Sequence, residues 1–178
     1  MGILQRLMRL FGQPAPVAGE DVVDAPPEGV ERRLKERRPT APGIKVLIID
    51  DSTTIVALLR RMMRQNDFET FEAGDAEKGL LIAREEVPHL IFLDIVLPGM
   101  NGFNALRVLR RDSLTRHIPI IMISGNEQAT EEFYVHRIGA DDFMKKPFAR
   151  AEVFARIERL MDAAGVPRRV NVAAAETG

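Results

Sequence analysis

The sequence predicts an α/β protein whose core is a doubly wound, five-stranded parallel sheet flanked by five helices. Three observations lead there. From Gly43 onward, short β-rich runs alternate five times with amphipathic helical stretches, and crossovers of that length join parallel strands by right-handed helical returns. The central strand runs are continuously apolar, the mark of strands buried on both faces. Polar residues gather at the carboxyl ends of those runs, where such sheets place their sites.

Each element has its own signal. IKVLII (44–49) is an apolar run with one Lys and reads as the first strand. Ser52 caps a first helix in which Ile55, Leu58, Leu59, Met62 and Met63 recur at helical spacing. FETFEA (68–73) is the second strand, and Asp75 caps a helix running to Glu86. LIFL (90–93) is the third strand, Gly102 to Arg111 the third helix and IPIIMI (118–123) the fourth strand. Glu127 to Arg137 reads as the fourth helix and DFMK (142–145) as the fifth strand. A last helix, Arg150 to Asp162, carries Val153, Phe154, Ile157, Leu160 and Met161 on one face. Residues 44–162 therefore form the folded domain.

The flanks read differently. Residues 1–11 place Ile3, Leu4, Leu7, Met8, Leu10 and Phe11 on an arc of about 160°, opposite Gln5, Arg6 and Arg9, as a short amphipathic helix. Such a face wants a cover, on a partner protein or a membrane surface. Residues 12–43 are rich in Pro, Ala and Gly and read as a flexible linker, with a basic collar at 31–38 (ERRLKERR). Residues 163–178 have no period and are expected to be disordered.

Composition narrows the function classes. The 178 residues carry a net charge of −1, so no general basic coat for nucleic acid is present. The absence of cysteine excludes disulfides, thiolate metal sites and a cysteine nucleophile, and fits a cytoplasmic protein. Any metal must sit on oxygen or imidazole. No apolar run approaches the ~20 residues a bilayer span needs. His89, His117 and His136 are scattered without carboxylates at ligand spacing, so surface or packing roles are expected.

The strand ends carry the chemistry. The first strand ends in Asp50-Asp51, the third in Asp94, the fourth in Ser124 and the fifth in Lys145-Lys146-Pro147. Three neighbouring carboxylates repel one another unless a cation compensates or their pKa values rise. A divalent ion is the economical answer, and hard oxygen ligands favour Mg²⁺. Asp94 is central and suits a nucleophile attacking phosphorus, with Asp50 and Asp51 on the metal. Ser124 supplies a hydroxyl and Lys146 a point charge for phosphoryl oxygens. Singly, each residue has a plainer role as helix cap, turn opener, loop hydroxyl or surface charge; jointly, in this order, those roles do not account for them.

These segments, IIDDS, LDIVLPGMNG, IMISG and GADDFMKKPF, resemble the receiver domain of bacterial two-component response regulators. The separations Asp51 to Asp94, Asp94 to Ser124 and Ser124 to Lys146 are 43, 30 and 22 residues, as in that family. The resemblance implies a flavodoxin-like sheet of order 2-1-3-4-5 and phosphorylation of Asp94 by a histidine kinase. It implies Mg²⁺ on Asp51, Asp94 and the carbonyl of Val96, with Asp50 acting largely through water. Lys146-Pro147 is expected to be a cis peptide. Ser124 and Phe143 would be the switch pair, and Phe143, lacking the hydroxyl of the tyrosine common in chemotaxis members, must act by packing. Val96 offers no polar group to orient an attacking water whereas Asn126 does, so hydrolysis of the phosphoryl group is expected to be intermediate to slow. Output is expected through protein contact on the face of the fourth helix, fifth strand and fifth helix, and a phosphorylation-dependent homodimer is compatible with it. LDIVLPGMNGF and IPIIM also resemble stand-alone regulators of chemosensory systems that control type IV pili and twitching motility.

Three other readings compete. A degenerate receiver would bind partners constitutively. An aspartyl phosphatase of the haloacid-dehalogenase kind would carry its nucleophile and acid two residues apart after the first strand, whereas Asp50 and Asp51 are adjacent and Asp94 comes far later. A flavodoxin-type cofactor binder would not place adjacent carboxylates against a bare phosphate.

Overall fold

Among the described residues, four helices and five strands take shape from local signals that the chain states plainly. A computed structural model describes residues 40–125 and 138–169, all within the compact unit Arg38–Gly178. The strands are β1 (Lys45–Ile49), β2 (Glu69–Ala73), β3 (Leu90–Asp94), β4 (Ile120–Ser124) and β5 (Asp142–Lys145). The helices are α1 (Thr53–Arg64), α2 (Ala76–Glu86), α3 (Gly102–Arg111) and α4 (Arg150–Leu160), the last being the fifth in the sequence prediction. Ser52, Asp75 and Asn101 each cap their helix by accepting a backbone N–H three residues on.

The sheet is parallel throughout, in the order β2-β1-β3-β4-β5. Alternate residues feed two cores. Leu47, Ile49, Ile91, Leu93, Ile120, Met122 and Phe143 pack on one side with α2 and α3. Val46, Ile48, Leu90, Phe92, Ile121, Ile123 and Met144 pack on the other with α1 and α4. This double burial is why β1, β3 and β4 read as unbroken apolar runs. Edge strand β2 is only partly covered and keeps two Glu.

Several boundaries move. The third strand runs on to Asp94, which pairs in register with Ile123, and the fourth begins at Ile120 and includes Ser124. Pro119 brings no N–H to the ladder, though its carbonyl accepts from Ile91 at 3.0 Å. The last helix stops at Leu160 because Asp162 turns the chain, its carboxylate accepting the N–H groups of Ala164 and Val166. Leu58, expected on the buried face of α1, is 37% exposed.

One expectation is overturned in part. Residues 163–169, taken as disordered, fold back on the domain: Met161 bridges Pro167, and Arg168 N–H donates to Leu160 O at 2.7 Å. Arg169 reaches Asp141 at 2.9 Å. At the other end, Ala41 N–H donates to Gly165 O, so the last residues of the 12–43 linker are tied as well. The predicted N-terminal helix 1–11, most of the linker and its collar, the fourth helix with Asn126, Tyr134 and His136, and the tail from 170 lie outside the described residues. Among the described residues no helix is long and apolar enough to cross a membrane.

Candidate functional site

The carboxyl ends of β1 and β3 set the site. Asp50 follows β1 and is fixed by its own backbone, its N–H donating to Ala73 O at 3.0 Å. Its Oδ1 accepts the N–H of Ser52 at 2.9 Å, so the residue that caps α1 also orients Asp50. Asp51, next along, is exposed. Asp94 closes β3 and is buried, and its Oδ1 accepts from Val96 N–H at 3.4 Å. Each of the three offers a carboxylate oxygen, and these lie within 4.8 Å of one another.

Lys146 joins the cluster from beyond β5. Its Nζ donates to Asp94 Oδ2 at 2.9 Å and stands 2.8 Å from Asp50 Oδ2. The second contact is an ion pair without hydrogen-bond alignment: Asp50 Oδ2 is buried and takes no hydrogen bond. Three hard carboxylate oxygens within reach of one another, one of them held only by the Lys146 ion pair, fit a small divalent cation.

Electrostatics follow from packing. Burial pushes the Asp94 carboxyl above its ordinary value, and the charge of Asp50 adds to this, while the Lys146 hydrogen bond works the other way. For Lys146, burial opposes the charge, but close contact with Asp50 and Asp94 and the attraction of their charges outweigh it and hold the ammonium above its ordinary value. Lys146 is therefore a fixed cation between two buried acids.

The remaining predicted residues fall where the sheet puts them. Ser124 is fully buried at the end of β4, one step beyond the Asp94–Ile123 pairing, and its carbonyl accepts Lys146 N–H at 2.7 Å. Phe143 is buried in the core on the α2 and α3 side. Val96 is 63% exposed beside Asp94, and the Lys146-Pro147 peptide is cis.

Sequence reasoning passed over two supporting residues. Gly102 donates its N–H to Ile95 O at 2.9 Å, and a Cβ there would overlap the carbonyl oxygen of Asp94. The LPGMNG turn contained that signal, since a glycine that opens a helix often marks close backbone approach. Glu77, in the first turn of α2, accepts from Met100 N–H at 3.3 Å and so holds the loop that leaves Asp94. Nothing in the local sequence announces that contact.

Comparison with known proteins agrees with this fold. The family described as the response regulator receiver domain matches residues 46–158. The chain is 37% identical over 103 residues to protein PilH of Pseudomonas aeruginosa, covering 58% of this chain and 85% of that protein. It is 34% identical over 117 residues to the transcriptional regulatory protein PhoP of Bacillus subtilis, covering 66% of this chain and 48% of that protein. The chain thus spans about half the length of PhoP, and likewise of the mycobacterial MtrA regulators. Among solved structures, CheY in the CheX-CheY-BeF3-Mg complex of Borrelia burgdorferi superposes with TM-score 0.65 at 25% identity, over 71% of this chain and 98% of that one. Vibrio cholerae CheY4 gives 0.62 at 25%, over 67% and 98%.

Proposed function

This chain belongs to the response regulator receiver family, and on that premise we propose that it takes a phosphoryl group onto Asp94 and signals by phosphorylation-dependent protein contact. The observation that carries the reading is the convergence of three carboxylates within 4.8 Å, with Lys146 bridging two of them.

A carboxylate oxygen of Asp94 forms a bond to phosphorus as the P–N bond of a kinase phosphohistidine breaks. The imidazole leaves with the bonding pair and takes up a proton. Lys146, already on Asp94 Oδ2, is placed to follow the new negative charge onto a phosphoryl oxygen. Ser124, at the end of the neighbouring strand, supplies a hydroxyl to another. Asp50, Asp51, Asp94 and the Val96 carbonyl are the residues that would hold Mg²⁺, with Asp50 acting largely through water. When bound, the ion offsets carboxylate repulsion and the charge of the phosphoryl oxygens. Water later attacks phosphorus, returning inorganic phosphate and the free Asp94 carboxylate.

Val96 supports intermediate to slow hydrolysis, because the exposed side chain nearest Asp94 in sequence is apolar and cannot orient a water. Asn126, by its sequence position, is the residue left for that task. Ser124 and Phe143 form the switch, and packing rather than a ring hydroxyl decides the state of Phe143. The kinase is the phosphodonor, and the face of the predicted fourth helix (127–137), β5 and α4 is the output surface. Resemblance to stand-alone receivers of type IV pilus and chemosensory systems, PilH among the similar proteins, points the pathway toward surface motility. Residues 1–11 recruit the protein to its complex, and deleting residues 2–12 should alter localisation while leaving phosphorylation intact; unchanged localisation would count against recruitment.

The central test is direct. Incubated with acetyl phosphate and Mg²⁺, the chain should gain a single phosphoryl adduct by intact mass, and Asp94→Asn should abolish it. No adduct on the unsubstituted protein would mean a degenerate receiver that binds constitutively. A phosphoryl lifetime of only about a few seconds with Mg²⁺ would refute the assignment of intermediate to slow hydrolysis to Val96.

A further inference from the structure

On its outward side α2 presents Leu81 to solvent beside Leu80, which is half-buried against the core, and the loop after Asp94 touches this face at Glu77, through Met100. Ala76, Gly79 and Ala83 face the sheet. At about 100° per residue, Glu77, Leu80, Leu81 and Arg84 share an outward arc of roughly 100°. Leu81 is 63% exposed, and it borders a groove of about 360 Å³ between α2 and α3 lined by Leu80, Val108 and Leu109. Val108, 43% exposed on α3, lines the same groove and extends the apolar surface. Exposed aliphatic side chains gathered at one groove mark an interaction surface more often than a scatter of single ones does.

Charge says what fits there. Glu77 and Arg84 sit symmetrically about the midpoint between Leu80 and Leu81, one acidic and one basic. A second α2 laid antiparallel on this stripe would set Glu77 against Arg84 of the partner subunit, and Arg84 against the partner's Glu77, with the leucines between. On the adjoining flank, Lys78 would come within two residues of the partner's Glu85, again with opposite sign. A parallel arrangement would set Glu77 on the partner's Glu77. Moving the centre of symmetry onto Leu81 would set Glu77 on the partner's Glu85 and Lys78 on the partner's Arg84. Orientation and register are thus chosen by like-charge repulsion. A two-fold interface needs one patch that complements itself, and this patch does.

We infer that the α2 face, with the groove toward α3, is a docking surface for a second copy of this chain. The surface is distinct from the β5 and α4 face assigned to output. Arg84 is 62% exposed while paired with Asp112 at 3.2 Å, so it remains available to an incoming carboxylate. The contact is small, and the dimer it makes is weak and transient.

Sedimentation velocity on the full chain across a concentration series tests the inference. A monomer–dimer equilibrium is expected, weakened at least about 10-fold by Leu81→Glu. Arg84→Glu alone should weaken it too, since the new carboxylate would face the partner's Glu77. Monomers throughout, up to about 1 mM, would overturn the inference. So would a dimer indifferent to Leu81→Glu or to Arg84→Glu. Phosphoryl acceptance at Asp94 by each variant, read by intact mass, separates loss of docking from loss of the fold.

Discussion

His89 shows how much one side chain can settle. Its ring Nδ1 accepts the N–H of Lys45 at 3.0 Å, and its own N–H donates to Lys45 O at 2.8 Å, joining the beginnings of β1 and β3. An accepting Nδ1 must be unprotonated there. Burial lowers its pKa from the ordinary 6.5, and the charges of Arg168 and Lys45 lower it further. The unfolded chain therefore binds the proton first, so this contribution to stability is complete above about pH 6.5 and is lost as pH falls through the lowered folded value. His89→Asn, whose Oδ1 stands in for Nδ1 without titrating, should show a smaller drop in Tm between about pH 7.5 and about pH 5.5 than the unsubstituted protein. An equal drop in both would refute the assignment. Sequence spacing did not reveal this role, because a lone histidine before a strand carries no periodic signal. The acidic site, in contrast, was legible, since parallel strands deliver their carboxyl ends to one edge and Asp50, Asp51, Asp94 and Lys146 each stand at such an end. What spacing could not show was that Asp50 Oδ2 would be buried without a hydrogen bond.

Helices and strands were readable wherever their signal was local. Caps at Ser52 and Asp75 fell where the first and second helices were expected to begin. Ends depending on distant pairing were not readable, and the extension of β3 to Asp94 rests on its partner in β4. The end of α2 carries a conformational cost: Val87, its C-cap, has φ 43° in the left-handed region, where a β-branched side chain is strained. Val87→Gly should stabilise the domain by about 0.5–1 kcal/mol, relief of strain exceeding the added entropy of the unfolded chain. Urea denaturation would reveal it as a higher midpoint at unchanged slope. The start of α3 behaves oppositely. Gly102→Ala would drive a methyl group into the Asp94 carbonyl, and a loss of about 1–3 kcal/mol is expected together with slower adduct formation from acetyl phosphate. Normal stability and normal phosphorylation in that variant would show that the loop can yield.

Across the whole domain, the largest surprise is the ordered return after α4. Asp141, its side chain 2% exposed, is clasped by Arg110 at 2.6 Å and Arg169 at 2.9 Å, and also accepts the Ile120 N–H. Arg110 is so enclosed that burial pulls its pKa down to about 10, with Arg169 adding to that and Asp141 resisting it, and it remains charged at neutral pH. The clasp joins α3, the entry to β5 and the segment that follows α4, and no local period marks it in the sequence. Removing the more buried partner should cost more: Arg110→Met about 3 kcal/mol, since it strips a buried carboxylate of its main counter-ion, and Arg169→Met about 1 kcal/mol. Chemical denaturation of both variants gives the ranking, and the reverse order would mean that Arg169 is the principal counter-ion.

The hydrogen bond from Ala41 to Gly165 has one further consequence. Both residues lie at the amino ends of the strands, while the acidic cluster lies at the carboxyl ends, about 16 Å away across a five-residue strand. Whatever is attached before Ala41 or after Arg169 therefore starts from the pole opposite Asp94. A fluorescent protein or an immobilising surface can be joined there without standing at the mouth through which a phosphodonor must enter.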